Sequence, residues 1–247
     1  MFRLPAPPAT TFVGKISRSP LRILPRRWVV PILQGPLRGK KWVIGSQRHA
    51  FWLGIYEPHM QSLIAQVVKK ESVFYDIGAN VGFYSLLASK LVFPGKVYAF
   101  EPVAENVRYI QRHLTLNDIR NVEVLELAIC DQVGTSTFQE EETRAMGHLK
   151  AEGNTRVQTT TLDALLQAQL IDPPHYIKMD IEGAELTALH GARDCIQRHR
   201  PIIFLATHGC DMETECTRLL SSWGYELQNI GDRTSPDRAE FLAKIHS

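Results

Sequence analysis

A chain of 247 residues, 44% hydrophobic and 22% charged, has room for one α/β domain with an appendage but not for two full catalytic domains. Its composition excludes a disordered or fibrous protein. The formal charge of +2 hides a division: residues 1–50 hold ten Lys and Arg and no acid, whereas the other 18 of the 28 basic residues share the rest of the chain with all 26 acidic ones.

This asymmetry points the N-terminal region toward an anionic partner, such as a phosphorylated or lipid-linked acceptor or a membrane surface. The sparse aromatics of that region (Phe12, Trp28, Trp42) and the lack of an RNA-binding module argue against nucleic acid. No stretch approaches the ~18 uninterrupted apolar residues of a membrane span. After Arg3, prolines and threonines stand where a signal peptide would carry its apolar region. The four cysteines show no C-x-x-C pair and no zinc spacing, so reduced thiols in a cytoplasmic protein are expected, with peripheral membrane association through the basic region.

Half of the 14 prolines fall in residues 1–36, and proline fixes φ and removes an amide donor. Residues 1–52 are therefore read as an irregular, basic, Pro-rich arm, and residues 53–247 as the folded domain. In that domain, residues 58–70 carry Met60, Leu63, Ile64 and Val67 at helical spacing, and Pro58 suits a first turn. Residues 72–77 read as a strand, 83–92 as a helix, 96–100 as a strand, 103–116 as a helix and 122–129 as a third strand. Residues 135–139 and 156–161 read as short strands around a polar insert, 140–154, and a helix follows at 162–170. Residues 176–179 form the fourth core strand, 185–197 a helix, 202–206 a fifth strand and 213–223 a helix. Residues 225–230 and 240–245 close the chain as a pair of strands. Strands alternating with helices predict an α/β fold, a doubly wound and mostly parallel sheet covered on both faces. Its ligands should sit beyond the carboxyl ends of the strands.

The residues that carry chemistry fall at those ends. Asp76-Ile77-Gly78-Ala79-Asn80-Val81-Gly82 joins a strand to a helix, and its glycines let the backbone approach a ligand closely. The spacing is not the G-x-G-x-x-G of nicotinamide enzymes. A leading carboxylate suits a ligand with positive charge, such as the sulfonium and amino groups of S-adenosylmethionine, better than a pyrophosphate. Glu101 ends the second strand, where a doubly wound fold places the carboxylate that grips ribose hydroxyls. In Lys178-Met179-Asp180-Ile181-Glu182-Gly183-Ala184-Glu185 three carboxylates fall within six residues. Helix capping accounts for Glu182 or Glu185 but less readily for Asp180, which lies in the mouth of the sheet. His208 stands just past the fifth strand, where an imidazole can take a proton near neutrality. Asp172-Pro173-Pro174-His175 precedes a strand instead of following one and reads as a turn.

Phe74-Tyr75-Asp76-Ile77-Gly78-Ala79-Asn80-Val81-Gly82, Ala99-Phe100-Glu101-Pro102, Thr161-Leu162-Asp163 and the 178–185 cluster, in this order, resemble the FkbM family of S-adenosylmethionine-dependent methyltransferases. The resemblance covers roughly residues 53–245, including Leu53-Gly54-Ile55-Tyr56-Glu57, and leaves the arm outside it. It implies a class I, Rossmann-like methyltransferase fold with a seven-stranded sheet, and O-methylation of a hydroxyl on a saccharide, glycolipid or polyketide-type metabolite. It further implies that Asp76, Gly78, Asn80 and Gly82 hold the methionine part of S-adenosylmethionine, Glu101 the ribose, and Ala128 and Ile129 the adenine. Glu57 joins the cofactor-binding set. Thr207 departs from the family, whose members often carry Glu before the histidine.

The acceptor hydroxyl must be held in line and lose its proton as the methyl arrives. Asp180 and His208 are the candidate bases. Because of the Thr207 departure, Asp180 is taken as essential and His208 as assisting. Alternatively, Asp180 and Glu182 hold a divalent cation such as Mg2+ that lowers the hydroxyl pKa. An RNA methyltransferase and a non-catalytic S-adenosylmethionine-binding module are the rival functions.

Overall fold

The structure is a computed structural model that describes residues 24–140, 147–149, 155–231 and 237–245. In chain order its elements begin with β1 (Val29–Pro31), β2 (Lys41–Val43), α1 (Ala50–Leu53), α2 (Pro58–Val67), β3 (Val73–Ile77) and α3 (Phe83–Val92). There follow β4 (Lys96–Phe100), α4 (Ala104–Leu116), β5 (Val122–Leu125), β6 (Ala128–Ile129), β7 (Gly134–Glu140), β8 (Gly147–Leu149) and β9 (Thr155–Thr160). The remainder is α5 (Leu162–Gln167), β10 (Tyr176–Met179), α6 (Glu185–His190), α7 (Arg193–His199), β11 (Ile202–His208), α8 (Cys210–Ser222), β12 (Tyr225–Asn229) and β13 (Arg238–Ile245). Residues 1–23 of the arm and most of the polar insert lie outside the described residues.

Seven strands form the central sheet in the order β12-β13-β11-β10-β3-β4-β5. The five from β11 to β5 run parallel, whereas β13 is antiparallel to both its neighbours, so the sheet is mixed where a mostly parallel one was expected. All four residues of β10 are buried, as a strand covered on both faces requires. The chain winds outward from β3 through β4 to β5 and then returns to β10 on the other side of β3. That reversal opens a crevice at the carboxyl ends of β3 and β10.

Two apolar layers cover the sheet. One contains Phe74, Leu86 and Ile110 together with Ile32, Leu37 and Trp42 of the β1–β2 hairpin. The other contains Tyr75, Ile177, Leu189 and Leu205. The hairpin is held by more than apolar contact, because Trp42 stacks on the buried His113 ring at 3.9 Å between centroids. His113 Nδ1 donates to the Val81 carbonyl (2.9 Å), and Nε2 accepts the Val43 amide (3.1 Å). Burial pushes this imidazole down to about 4, which matches a neutral ring that donates at one nitrogen and accepts at the other.

Residues 24–52, read from the sequence as part of an irregular arm, instead form β1, β2 and the start of α1 and pack Ile32, Leu37, Trp42 and Ile44 into the core, and three further elements also depart from expectation. The strand expected over 122–129 divides at a tight turn, where the Leu127 amide bonds the Leu125 carbonyl (2.9 Å). β6 thereby leaves the main sheet and pairs with β9 in a smaller one. The helix expected over 185–197 breaks into α6 and α7. A Cβ at Gly191 would lie 1.8 Å from the Cys130 carbonyl oxygen, and the Asp163 carboxylate accepts the Asp194 and Cys195 amides at the start of α7 (3.0 and 2.7 Å). The fifth strand also extends to His208, which ends it instead of following it.

Candidate active site

The turn after β3 supplies one wall of a cavity at the crevice. Gly78 (φ +80°), Asn80 (φ +51°) and Gly82 (φ +87°) are left-handed, which glycine adopts freely and asparagine tolerates. The Gly78 and Ala79 amides both donate to the Phe100 carbonyl (3.0 Å), tying this turn to the end of β4. Gly78, Asn80, Glu101, Ala128, Ile129, Asp180 and Glu182 all line the cavity. Of the other residues singled out from the sequence, Gly82 caps α3 against Ile110. Asp76 lies wholly buried, its Oδ2 accepting from Ser85 Oγ (2.6 Å) and its Oδ1 without a hydrogen-bond partner among the described residues.

Glu101 is buried and fully engaged. Its Oε2 accepts the Asn80 amide (2.8 Å), and Oε1 accepts the Val103 amide (3.0 Å) and Asn106 Nδ2 (3.1 Å). Burial nevertheless pushes its carboxyl up to about 7, with these three donors pulling the other way. The splitting of β5 from β6 is what brings Leu127, Ala128 and Ile129 into the wall beyond Glu101.

The opposite wall is backed by a ring of charges around the buried Lys178, with Glu57, Asp180 and Arg238 half-buried. Tyr84 donates to Glu57 Oε2 (2.6 Å), Glu57 Oε1 pairs with Arg238 Nη2 (2.7 Å), and the same nitrogen pairs with Asp180 Oδ2 (3.1 Å). Lys178 Nζ lies 3.4 Å from Asp180 Oδ2 and 4.5 Å over the Tyr84 ring, closing the circuit. Burial alone would raise the Asp180 carboxyl, but Lys178, Arg238 and His208 outweigh it and hold the group at about 2. Glu57 is thus part of this scaffold and does not line the cavity.

His208 stands beyond Asp180 and Glu182, not in the cavity lining itself, and exposes 18% of its side chain. Its Nδ1 donates to Glu185 Oε1 (2.8 Å), while Nε2 faces Glu182 Oε2 (3.2 Å) and Asp180 Oδ1 (3.7 Å). Glu185 is fully buried and is itself fixed by the Gly183 amide (3.1 and 3.0 Å) and the Ile181 amide (3.4 Å). Burial would lower the His208 imidazole, but the Glu185 hydrogen bond and the charges of Asp180 and Glu182 raise it. A ring anchored in this way at Nδ1 keeps Nε2 directed at the Glu182 and Asp180 carboxylates, on the side of the cavity.

Three contributors were missed from the sequence: Lys178 as a counter-ion, Glu185 as more than a cap, and Arg238. Arg238 pairs with His208 in the β11–β13 register. Because β13 runs antiparallel, its first residue lands at the carboxyl rim of the parallel strands. A polar residue opening the final strand is the signal that could have found it.

A profile described as the methyltransferase FkbM domain matches residues 76–227, which run from the Asp76 turn through the 178–185 cluster and His208 to β12. The chain belongs to the FkbM methyltransferase family. Among FkbM relatives, it is 27% identical over 164 residues to the hexuronic acid methyltransferase AglP of Haloferax volcanii, covering 64% of this chain and 65% of AglP, less than two thirds of that protein's length. A methyltransferase FkbM structure from Methylobacillus flagellatus is 22% identical, covering 70% of this chain and 43% of that one, at a TM-score of 0.49. The precorrin-6y C5,15-methyltransferase of Geobacter metallireducens superposes at a TM-score of 0.50 with 17% identity, over 76% of this chain and 88% of that one. That superposition and the strand order agree on a class I, Rossmann-like α/β methyltransferase fold.

Proposed function

We propose that this FkbM-family protein is an S-adenosylmethionine-dependent O-methyltransferase acting on a hydroxyl of a saccharide or glycolipid. The observation that carries the reading is one crevice with a glycine-turn cradle and a buried carboxylate on one side and, behind the Asp180 and Glu182 carboxylates of the other, an anchored imidazole. The cavity fits the cofactor by charge: Glu101, Glu105, Asp180 and Glu182 face it, and Lys178 is the only basic side chain in its lining among the described residues. A cationic sulfonium and amino group suit such a wall, and a pyrophosphate does not. Gly78 and Asn80 would hold the methionine part, Glu101 the ribose, and Ala128 and Ile129 the adenine. When bound, the cofactor supplies an activated methyl group.

The protein's share is to orient the acceptor and take its proton. The Lys178 and Arg238 pairs hold the Asp180 carboxyl below its usual range, which supports His208 over Asp180 as the proton acceptor. His208 Nε2 receives the hydroxyl proton. The resulting imidazolium is stabilised by Glu185 at Nδ1 and by Asp180 and Glu182 around Nε2. A hydroxyl acceptor needs this device and a carboxylate acceptor does not, which favours an ether product over an ester. The relative named for hexuronic acid directs attention to sugar acceptors, with polyketide-type hydroxyls as the alternative.

Calorimetry should show S-adenosylmethionine and its demethylated product binding while NAD is silent, and label from the methyl group should pass to a glycoside in a form stable to mild alkali. Binding of NAD alone, or alkali-labile product alone, would overturn the respective half of the reading. Affinity should also report Glu101. Its ionised form makes charge-assisted bonds to ribose hydroxyls, about twice as strong as neutral ones. Affinity for the demethylated product is therefore expected to fall roughly tenfold between about pH 8 and about pH 6 as Glu101 protonates. Glu101→Gln should bind weakly with a flat profile, and a wild-type profile that is equally flat would remove Glu101 from the ribose site.

A second reading is favoured by ligand atoms of Asp180, Glu182 and His208 lying within 4.8 Å of one another. They could hold a divalent cation, which when bound would supply a Lewis acid next to the hydroxyl. Carboxylates suit magnesium and imidazole suits later transition ions, but Lys178 and Arg238 already compete for Asp180. Turnover abolished by a chelator and restored by magnesium or manganese would establish this reading, and chelator-resistant turnover would dismiss it.

A further inference from the structure

The β1–β2 hairpin presents a surface that the methyl-transfer site does not use. Among the described residues six large hydrophobic side chains are exposed, and three of them, Trp28 (51%), Val29 (40%) and Leu33 (51%), lie within six positions of the hairpin's first arm. Val29 and Pro31 share the outward face of β1, while Val30 between them packs toward the core. Lys41 lies opposite Pro31 in the hairpin register, Arg26, Arg27, Arg38 and Arg48 in and beside the hairpin sequence are exposed with it, and the sequence contains no acid before Glu57. The base beneath is rigid, since Ile32, Leu37 and Trp42 are buried in the core of the α/β domain.

We propose that this hairpin face docks the protein on an anionic lipid bilayer, with Trp28, Val29 and Leu33 entering the headgroup boundary and the surrounding Arg and Lys pairing with acidic headgroups. Indole at an interface satisfies its apolar body and its N–H together. Each basic side chain near such a surface adds electrostatic attraction that falls off within a Debye length. Nucleic acid fits less well: single strands need several aromatic faces to stack on, and here Val29, Pro31 and Leu33 gain only by leaving water. The face is coupled to the catalytic crevice, because Ser46 and Phe51, shortly after β2, line the cavity and Gln47 Nε2 donates to Asn80 Oδ1 (3.2 Å). Docking here would hold the crevice close to an acceptor carried on lipid. The docking itself stands whether or not the proton-transfer reading is right.

The test is sedimentation of the full chain with phosphatidylcholine vesicles, with and without phosphatidylglycerol. Binding is expected to the mixed vesicles only, to weaken with added salt, and to come with a blue shift of tryptophan emission that Trp28→Phe reduces. The pairs Trp28→Ser/Leu33→Ser and Arg38→Gln/Lys41→Gln should each weaken partitioning by about tenfold or more, the second pair also losing salt sensitivity. Affinity for the demethylated cofactor should be unchanged in both pairs, which separates failure of docking from failure of the catalytic reading. Three results would each overturn the proposal: no binding to acidic vesicles, equal binding by all variants, or an RNA oligonucleotide displacing the protein from them.

Discussion

His208→Ala is expected to lower kcat by roughly 10²–10⁴-fold while leaving affinity for S-adenosylmethionine and its product within about twofold of wild type. The separation follows from position: His208 lies outside the cavity lining, beyond Asp180 and Glu182, so removing its ring takes away the proposed proton acceptor without opening the cofactor's walls. Asp180→Asn should behave differently. It deletes the charge shared by Lys178 and Arg238, and Lys178 is buried. Removing a partner from a buried cation is destabilising, by up to about 3–5 kcal/mol where no other partner remains, and by less here because Asp76 and Glu57 still face Lys178. Cofactor affinity and thermal stability should both fall in that variant. Glu185→Gln is the test of anchoring, since an amide can accept from Nδ1 only by presenting its oxygen and cannot stabilise an imidazolium by charge. Its kcat should fall less than that of His208→Ala, with KM for the acceptor nearly unchanged. The converse pattern, with His208→Ala active and Asp180→Asn losing kcat alone, would return the role of base to Asp180.

What could be read from the sequence follows from how locally each feature is determined. The Asp76–Gly82 turn, Glu101 and the 178–185 cluster each sit where a parallel strand meets the following helix, and there glycine spacing and a strand-end carboxylate are local signals. Lys96–Phe100, Phe83–Val92 and Tyr176–Met179 match their expected bounds because apolar periodicity alone determines them. The division of α6 from α7 was not legible, because it depends on the Cys130 carbonyl and the Asp163 carboxylate, which come from distant segments. The acidic cluster was legible as acids but not as a circuit. Nothing near Asp180 in the sequence shows that Arg238, 58 residues away, pairs with it. The packing of Trp42 on His113 was hidden for the same reason, since neither residue shows its partner in its own neighbourhood.

Gly78→Ala should be among the most damaging single-methyl changes in the protein, costing about 2–5 kcal/mol and lowering the melting temperature by roughly 5–15 °C. Two costs coincide there. The residue has φ +80°, and a Cβ would lie 2.1 Å from the Asp180 carbonyl oxygen and 2.8 Å from Ile181 Cγ2. Neither side can retreat cheaply. The Gly78 amide is bonded to Phe100 at the end of β4, and the Asp180 amide to Ile77 at the end of β3 (3.1 Å). The methyl group would therefore part the Asn80–Glu101 wall from the Asp180–Glu182 wall, and cofactor affinity should drop along with stability. Gly183→Ala is the matched control, because Gly183 is also left-handed (φ +101°) but has nothing within 4 Å of a built Cβ. It should show the backbone strain alone, about 1–2 kcal/mol, with cofactor affinity retained. Thermal unfolding and calorimetry on both variants separate the two costs. If Gly78→Ala proves no worse than Gly183→Ala, the close approach of the two turns is not what sets the width of the crevice.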